Sequence, residues 1–196
     1  MISTYQLRVK RIFDFTLATL LFPFLIVPIF LLTLMCSIDT REWGIFSQLR
    51  VGQHGTLFKI YKLRTLRNEP HELGQLNKSA TKFGKILRRT KLDELPQIFN
   101  VLKGDMSFVG PRPDIQGFAD QLLGEDRIIL LIKPGITGPA TLKYKDEERV
   151  LERQKDPEHY NRTIIWVDKV KINKKYIHNY SFYLDLRLII KSTLNI

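Results

Sequence analysis

Two adjacent carboxylates, Asp93 and Glu94, stand in the run Thr90-Lys91-Leu92-Asp93-Glu94-Leu95-Pro96-Gln97. Farther along, the chain reads Val109-Gly110-Pro111-Arg112-Pro113. An acidic pair within a cationic stretch is the charge layout of phosphoryl transfer. One carboxylate can attack phosphorus or hold a metal, and the cations cradle the phosphates. Arg112 lies between two prolines, which restrict its backbone and suit a guanidinium to bidentate phosphate binding. Arg88, in the last turn of a short helix, leads toward the pair. Lys59, Lys62 and Arg64 precede it in a basic strand. Each residue also has a plainer reading. Acids are favoured in the first turn of a helix, arginines in the last, and lysines on a solvated strand edge.

These residues need elements to hold them. Ile45–Val51 alternates like a strand, Gly52–Gly55 is a turn, and Thr56–Arg64 is a second strand, which predicts a β-hairpin. Residues 68–79 are polar and contain Pro70 and Gly74, which predicts a loop. A helix is expected over Thr81–Arg89, with Phe83, Ile86 and Leu87 as its apolar stripe. The next is expected to start near Thr90–Leu92, where Thr90-x-x-Asp93 resembles a capping box, and to end at Gly104. Ile115–Leu131 is expected to be a helix, and the charged run Lys145–Lys155 a solvated one. The tail from Tyr160 mixes Lys and Arg with aromatic and aliphatic residues. It suits either the membrane interface or packing on the core.

From Phe15 to Ile38 there are 24 residues without a charge, enough to span a bilayer, which takes about 20. Pro23 and Pro28 lie inside this stretch, and each removes a helical hydrogen bond. Both flanks are basic, with Arg8, Lys10 and Arg11 before it and Arg41 and Arg50 after it. The positive-inside rule then places both ends in the cytoplasm. A single span is the reading by length. A segment that enters, bends at a proline and returns satisfies both the prolines and the flanks. A cleaved signal peptide is disfavoured, because Leu31–Ser37 contains no small-residue cleavage site.

The formal charge is +11, and between Arg41 and Lys103 thirteen Lys/Arg meet five Asp/Glu. Charge of this kind suits nucleic acid, anionic lipid or phosphorylated metabolites. Aromatic residues do not interleave with the cations outside the tail, which counts against a nucleic-acid platform. The single Cys36 excludes an internal disulfide, and four scattered histidines make no zinc pattern.

The assembled pieces resemble one family, the small bacterial initiating sugar transferases, which are monotopic polyprenyl-phosphate phosphoglycosyl transferases. The resemblance rests on Lys10-Arg11-Ile12-Phe13-Asp14, on Phe58–Arg64, on Gly84-Lys85-Ile86-Leu87-Arg88, and on Pro134-Gly135-Ile136-Thr137-Gly138. It rests above all on the unbroken block Leu92–Pro113, and Leu184-Asp185-Leu186 extends it to the tail. It implies transfer of a sugar-1-phosphate from a UDP-sugar to undecaprenyl phosphate, with release of UMP. By resemblance Asp93 is the nucleophile that forms an aspartyl-phosphosugar, and Glu94 holds Mg²⁺. Lys59, Arg88 and Arg112 bind phosphates, and Pro111 and Pro113 shape the nucleotide site. Lys145 stands where many members carry a loop arginine, although a lysine cannot reproduce bidentate contacts.

The implied architecture is α+β and mostly α. A proline-broken re-entrant helix occupies residues 1–40. A cytoplasmic catalytic domain occupies 41–196, with a β-hairpin and amphipathic C-terminal helices lying in the interface. The implied place is the cytoplasmic face of the bacterial inner membrane. A homodimer is left open, and no nucleic acid is expected. Two departures stand out. Val27-Pro28 occupies the family's frequent Ser-Pro, and Pro139–Lys145 with the charged stretch after it replaces the usual loop. The reading from another class is a membrane-anchored basic module for anionic lipid or nucleic acid, with Asp93 and Glu94 only capping a helix.

Overall fold

The computed structural model describes residues 2–69, 73 and 75–194. Pro70 and Gly74 of the expected loop, and Ile196 of the tail, lie outside them. The chain opens with α1 (Thr4–Thr40), capped by Ser3, whose hydroxyl accepts from the Gln6 amide while Gln6 Oε1 accepts from the Ser3 amide. The capping box satisfies two otherwise orphaned donors. The expected break at the prolines is not seen: α1 runs as one helix through Pro23 and Pro28. Proline's fixed φ is itself helical, so each proline removes a hydrogen bond without forcing the chain out of the helix.

One face of α1 packs on the rest of the protein along its whole length. Lys10, Asp14, Ala18, Ile29, Thr33, Cys36 and Thr40 are buried, at helical spacing, and half-buried Phe22 and Leu25 fill the middle of the stripe. The opposite face exposes Phe15, Leu20, Phe24, Val27 and Phe30. At its far end α1 is met by Gly44, where a Cβ would lie 2.0 Å from the Thr33 carbonyl oxygen. Only glycine permits that approach.

The expected hairpin is present. β1 (Ile45–Val51) pairs antiparallel with β2 (Leu57–Leu63), from Ile45 opposite Leu63 to Val51 opposite Leu57. The helices α2 (Leu76–Ser79) and α3 (Lys82–Thr90) follow, with Thr81 capping α3 through the Gly84 amide. Lys91 takes a left-handed conformation, a 3-10 turn covers Leu92–Glu94, and α4 spans Gln97–Lys103 before Gly104 ends it. The capping box expected at Thr90 is absent. Thr90 stays in α3 and donates its hydroxyl back to the Ile86 and Leu87 carbonyls. The pair Asp93-Glu94 therefore sits in the turn between two helices.

β3 (Ser107–Val109) pairs in parallel with β4 (Gly135–Thr137), a small sheet that the sequence reading did not anticipate. Between them the expected helix over Ile115–Leu131 is replaced by 3-10 turns at Ala119–Gln121 and Gly124–Leu131. Gly117 and Gly124, both at positive φ, interrupt the α-helical path. The chain continues with α5 (Pro139–Lys143), α6 (Glu147–Glu152), α7 (Pro157–Tyr160), a π-helical turn, α8 (Trp166–His178) and α9 (Phe182–Leu194). The expected solvated helix at 145–155 shrinks to α6. Leu151 anchors it, and Glu147 and Glu148 are both in ion pairs. The tail divides: Tyr176, Tyr180 and Leu188 are core, while Tyr183, Ile190 and Leu194 face outward.

A buried polar knot ties α1 to the tail. Asp185 accepts from Lys10 Nζ, from the Tyr176 hydroxyl and, at 3.3 Å, from the Tyr180 hydroxyl. Lys10 and Asp185 are both almost fully buried. Removing one partner of such a pair strands the other charge. Asp185→Ala should lower unfolding free energy by about 3–5 kcal/mol. Lys10→Met combined with Asp185→Leu should recover most of it, as read by thermal unfolding in one detergent.

Candidate active site

The dyad turn is held from two sides. Asn100 of α4, wholly buried, accepts from the Tyr61 amide at 3.1 Å and donates to the Lys59 carbonyl at 2.7 Å. It thereby clips α4 onto the edge of β2. On β2, Phe58, Ile60 and Lys62 share one face, because side chains alternate along a strand. Phe58 and Ile60 are buried, so Lys62 is aimed inward, where its ammonium meets Glu94.

From the other side comes Arg112. The Gly110 amide donates to the Thr137 carbonyl, and the Gly135 amide to the Pro111 carbonyl. A Cβ at Gly110 would lie 2.4 Å from the Lys133 carbonyl oxygen. The glycine lets the loop lie flat on β4, and buried Pro111 and Pro113 hold its course. Arg112 projects from this rigid loop to Glu94. The carboxylate oxygen Oε1 accepts from Lys62 Nζ at 2.9 Å and from Arg112 Nη2 at 2.6 Å.

The two acids are in unequal states. Burial alone would raise the pKa of Glu94, but Arg112 and Lys62 outweigh it and hold that carboxylate well below its usual range. Burial pushes Asp93 up. Lys62 pulls it down, the Glu94 charge adds to the rise, and Arg88 and Lys91 oppose it. Burial also lowers the pKa of Lys62, with Glu94 acting against that shift. Asp93 Oδ1 is buried and has no hydrogen-bond partner. Glu94 Oε1 is thus clamped by two cations, whereas Asp93 Oδ1 has no partner. Two neighbouring carboxyls whose environments separate their pKa values mark a division of roles.

Seven buried side-chain polar atoms among the described residues lack a partner. Asp93 Oδ1, Gln97 Nε2, Arg50 Nε and Glu148 Oε1 are four of them. Gln97 is one turn from Asp93, Arg50 feels the charge of Arg112, and Glu148 is bonded to Arg88. Unsatisfied buried groups are rare, and their gathering here points to groups that a ligand completes.

The expected site residues separate as follows. Glu94 and Arg112 are in contact, with Asp93 beside them, and Pro111 and Pro113 frame the loop. Arg88 acts on the Asp93 charge while bonded to Glu148 Oε2 at 2.5 Å. Lys59 is exposed on the face of β2 opposite Lys62, and Lys145 is exposed before α6. Lys62 was passed over as a site residue; the alternation that buries Phe58 and Ile60 was the signal for it. Asp114, whose carboxyl is pushed up to about 6 by burial against the pull of Lys169 and Arg50, had no signal in the sequence.

No group of three or more His, Cys, Asp or Glu side chains forms a metal cage among the described residues. Magnesium does not need one. It keeps several waters and takes one or two carboxylates together with substrate phosphates. Both cations use the same Glu94 oxygen, which leaves Oε2 uncommitted. This hard oxygen donor fits such an ion.

The family model for bacterial sugar transferase matches residues 5–196. The chain belongs to the bacterial sugar transferase family. Among its relatives, the uncharacterized sugar transferase EpsL of Bacillus subtilis is 33% identical over 92% of this chain and 83% of its own length. The UDP-glucose:undecaprenyl-phosphate glucose-1-phosphate transferase of Klebsiella pneumoniae is 36% identical over 92% of this chain and 38% of its own length. The UDP-N-acetylgalactosamine-undecaprenyl-phosphate N-acetylgalactosaminephosphotransferase of Aeromonas hydrophila is 31% identical over 94% of this chain and 42% of its own length. The chain therefore spans less than half of the latter two relatives. As a sugar transferase it carries the dyad, the arginine loop and α1 within a single matched region.

The charge of Lys62 lowers the pKa of Asp93, so its loss has a definite sign. In Lys62→Met the Asp93 pKa should rise further, because an attracting cation is gone while the Glu94 charge stays. The acid limb of the transferase pH–rate profile should move to higher pH, along with a lower plateau. An unmoved acid limb would show that Asp93 ionisation does not limit the rate.

Proposed function

We propose that this sugar transferase moves a sugar-1-phosphate from a UDP-sugar to undecaprenyl phosphate through an aspartyl-phosphosugar intermediate, so starting the assembly of a surface glycan. The observation that carries this reading is the unequal dyad. Asp93 has an unpartnered buried oxygen, next to a Glu94 already neutralised by Lys62 and Arg112.

The steps follow from charge and connectivity. Asp93 Oδ1 attacks the sugar-proximal phosphorus, and the phosphoanhydride bond breaks. UMP leaves with the bonding electron pair. A phosphate oxygen of undecaprenyl phosphate then attacks the same phosphorus, and the acyl phosphate bond breaks to restore Asp93. The product is undecaprenyl-diphospho-sugar. Attack by a carboxylate on a diphosphate meets charge repulsion, and preorganised cations offset it. Lys62, Arg88 and Arg112 supply them, with Lys59 and Lys145 as outer cations for the approaching nucleotide. Glu94 would hold Mg²⁺, which when bound would neutralise the diphosphate and the departing UMP.

The lipid acceptor requires a site at a membrane. Both ends of α1 are fastened to the same globular body, at one end by Lys10, Arg11 and Asp14, at the other by Cys36 and Gly44. A helix that crossed the bilayer would carry one end to the far side. With basic flanks at both ends, association of α1 with the cytoplasmic face without crossing agrees with this fastening. The exposed apolar face of α1 then meets lipid, and α9 adds Tyr183, Ile190 and Leu194 beside Arg187 and Lys191, a composition suited to the interface. α4, which begins just after the dyad, packs on α1, with Phe99 edge-on against Phe22.

The sugar is not transferred from the relatives, which are named for glucose and for N-acetylgalactosamine at comparable identity. The decisive assay is nucleotide release from the purified protein with Mg²⁺, undecaprenyl phosphate and a panel of UDP-sugars. UMP is expected from the wild type, and its formation should fall by several orders of magnitude in Asp93→Asn. Release of UDP, or UMP formation indifferent to Asp93, would overturn the mechanism.

A further inference from the structure

The segment where this chain departs from the family's usual loop brings two adjacent acids onto the site. Glu147 and Glu148 occupy the first turn of α6. Glu147 Oε2 accepts from Lys169 of α8 at 2.6 Å, and its charge is felt by Arg112 and Asp114. Glu148 Oε2 accepts from Arg88, whose own charge acts on Asp93. The start of α6 thus bridges the two cations that flank the dyad, Arg112 on one side and Arg88 on the other.

Glu148 is divided in its satisfaction. One oxygen is held by a guanidinium. The other, Oε1, is buried and has no partner. A buried acceptor on a charged group is costly to leave unpaired. The bond to Arg88 holds the carboxylate and sets the direction of its free oxygen. Such an acceptor suits a hydroxyl or an amide N–H. The Arg88 that holds it also acts on the charge of Asp93.

Resting on the proposed reaction, we infer that Glu148 is the residue of this site that accepts a hydrogen bond from the donor sugar, and so selects among UDP-sugars. Arg88 serves both partners, since a guanidinium has five donors and can hold a carboxylate and a phosphate oxygen together. The ligand class is a pyranosyl group with a hydroxyl or acetamido N–H directed at α6. A sugar lacking that donor leaves Oε1 unpaired, and the site discriminates against it. The uridine and the phosphates gain nothing from Glu148.

The test compares wild type, Glu148→Gln and Glu148→Ala on UDP-sugars that differ at one ring position, as epimers or deoxy analogues. UMP inhibition is measured on each variant as a check on the nucleotide site. The expected result is a fall in kcat/KM for the preferred sugar of about ten- to a hundredfold relative to its analogue in Glu148→Ala. Glu148→Gln keeps the shape and should shift the ratio the same way by a smaller factor, with UMP inhibition unchanged in both. An equal loss across the panel, or an unmoved ratio, overturns the assignment and makes Glu148 only a tether for Arg88. If the alanine variant loses UMP inhibition, the glutamine variant decides by the same ratio. UDP release by the wild type would instead overturn the proposed reaction, and this inference with it.

Discussion

A single carboxylate oxygen organises the site. Glu94 Oε1 joins Lys62 of β2, Arg112 of the loop after β3, and the turn between α3 and α4. These three segments come from different parts of the chain and share one apolar cluster, in which Phe58 and Ile60 of β2 pack with Ile98 and Val101 of α4. A buried charge must be paired, and removing any partner would leave an uncompensated ion. Pairing Glu94 therefore locks Lys62 and Arg112 in place.

The same rule operates at the junction of α1 with the globular part. Lys10 is bonded to Asp185, and Arg11 donates to the Val101 and Leu102 carbonyls at the end of α4. Cations at a helix C-terminus meet both its unsatisfied carbonyls and its dipole. Asp14 accepts from the Phe108 amide at 3.1 Å. Charged residues just ahead of an apolar stretch would read as simple interface anchors. Here they are turned inward, and each secures a different element of the catalytic body.

The legible parts of the sequence were those governed by local rules. Alternation gave the hairpin its limits, and Thr81 and Gly104 marked helix ends where cap chemistry is strong. The block around Asp93 and Arg112 was visible by residue type alone. Illegible parts depended on distant partners. The capping role expected for Thr90 failed because Lys91 adopts a left-handed conformation and closes α3 first. Ile115–Leu131 had helical composition, yet its glycines adopt positive φ and its apolar residues pack as 3-10 turns. Glu147 and Glu148 looked like part of a solvated face. Only the fold reveals that Lys169, 22 residues along the chain from Glu147, and Arg88 on another helix pair with them.

The membrane helix and the catalytic loop are mechanically continuous. Asp14 holds Phe108, Phe108 belongs to β3, and β3 runs directly into the loop that presents Arg112 to Glu94. Arg11 meanwhile grips the end of α4, the helix that begins just after the dyad. A displacement of α1 would therefore be felt at both sides of the Glu94 clamp through hydrogen bonds and rigid elements, with no flexible linker in between. Tight packing transmits such shifts rather than absorbing them. The proposed reaction, whose acceptor would reside in the bilayer, would gain from this construction. The apolar helix α1 is tied to both the turn that carries Asp93 and the loop that carries Arg112.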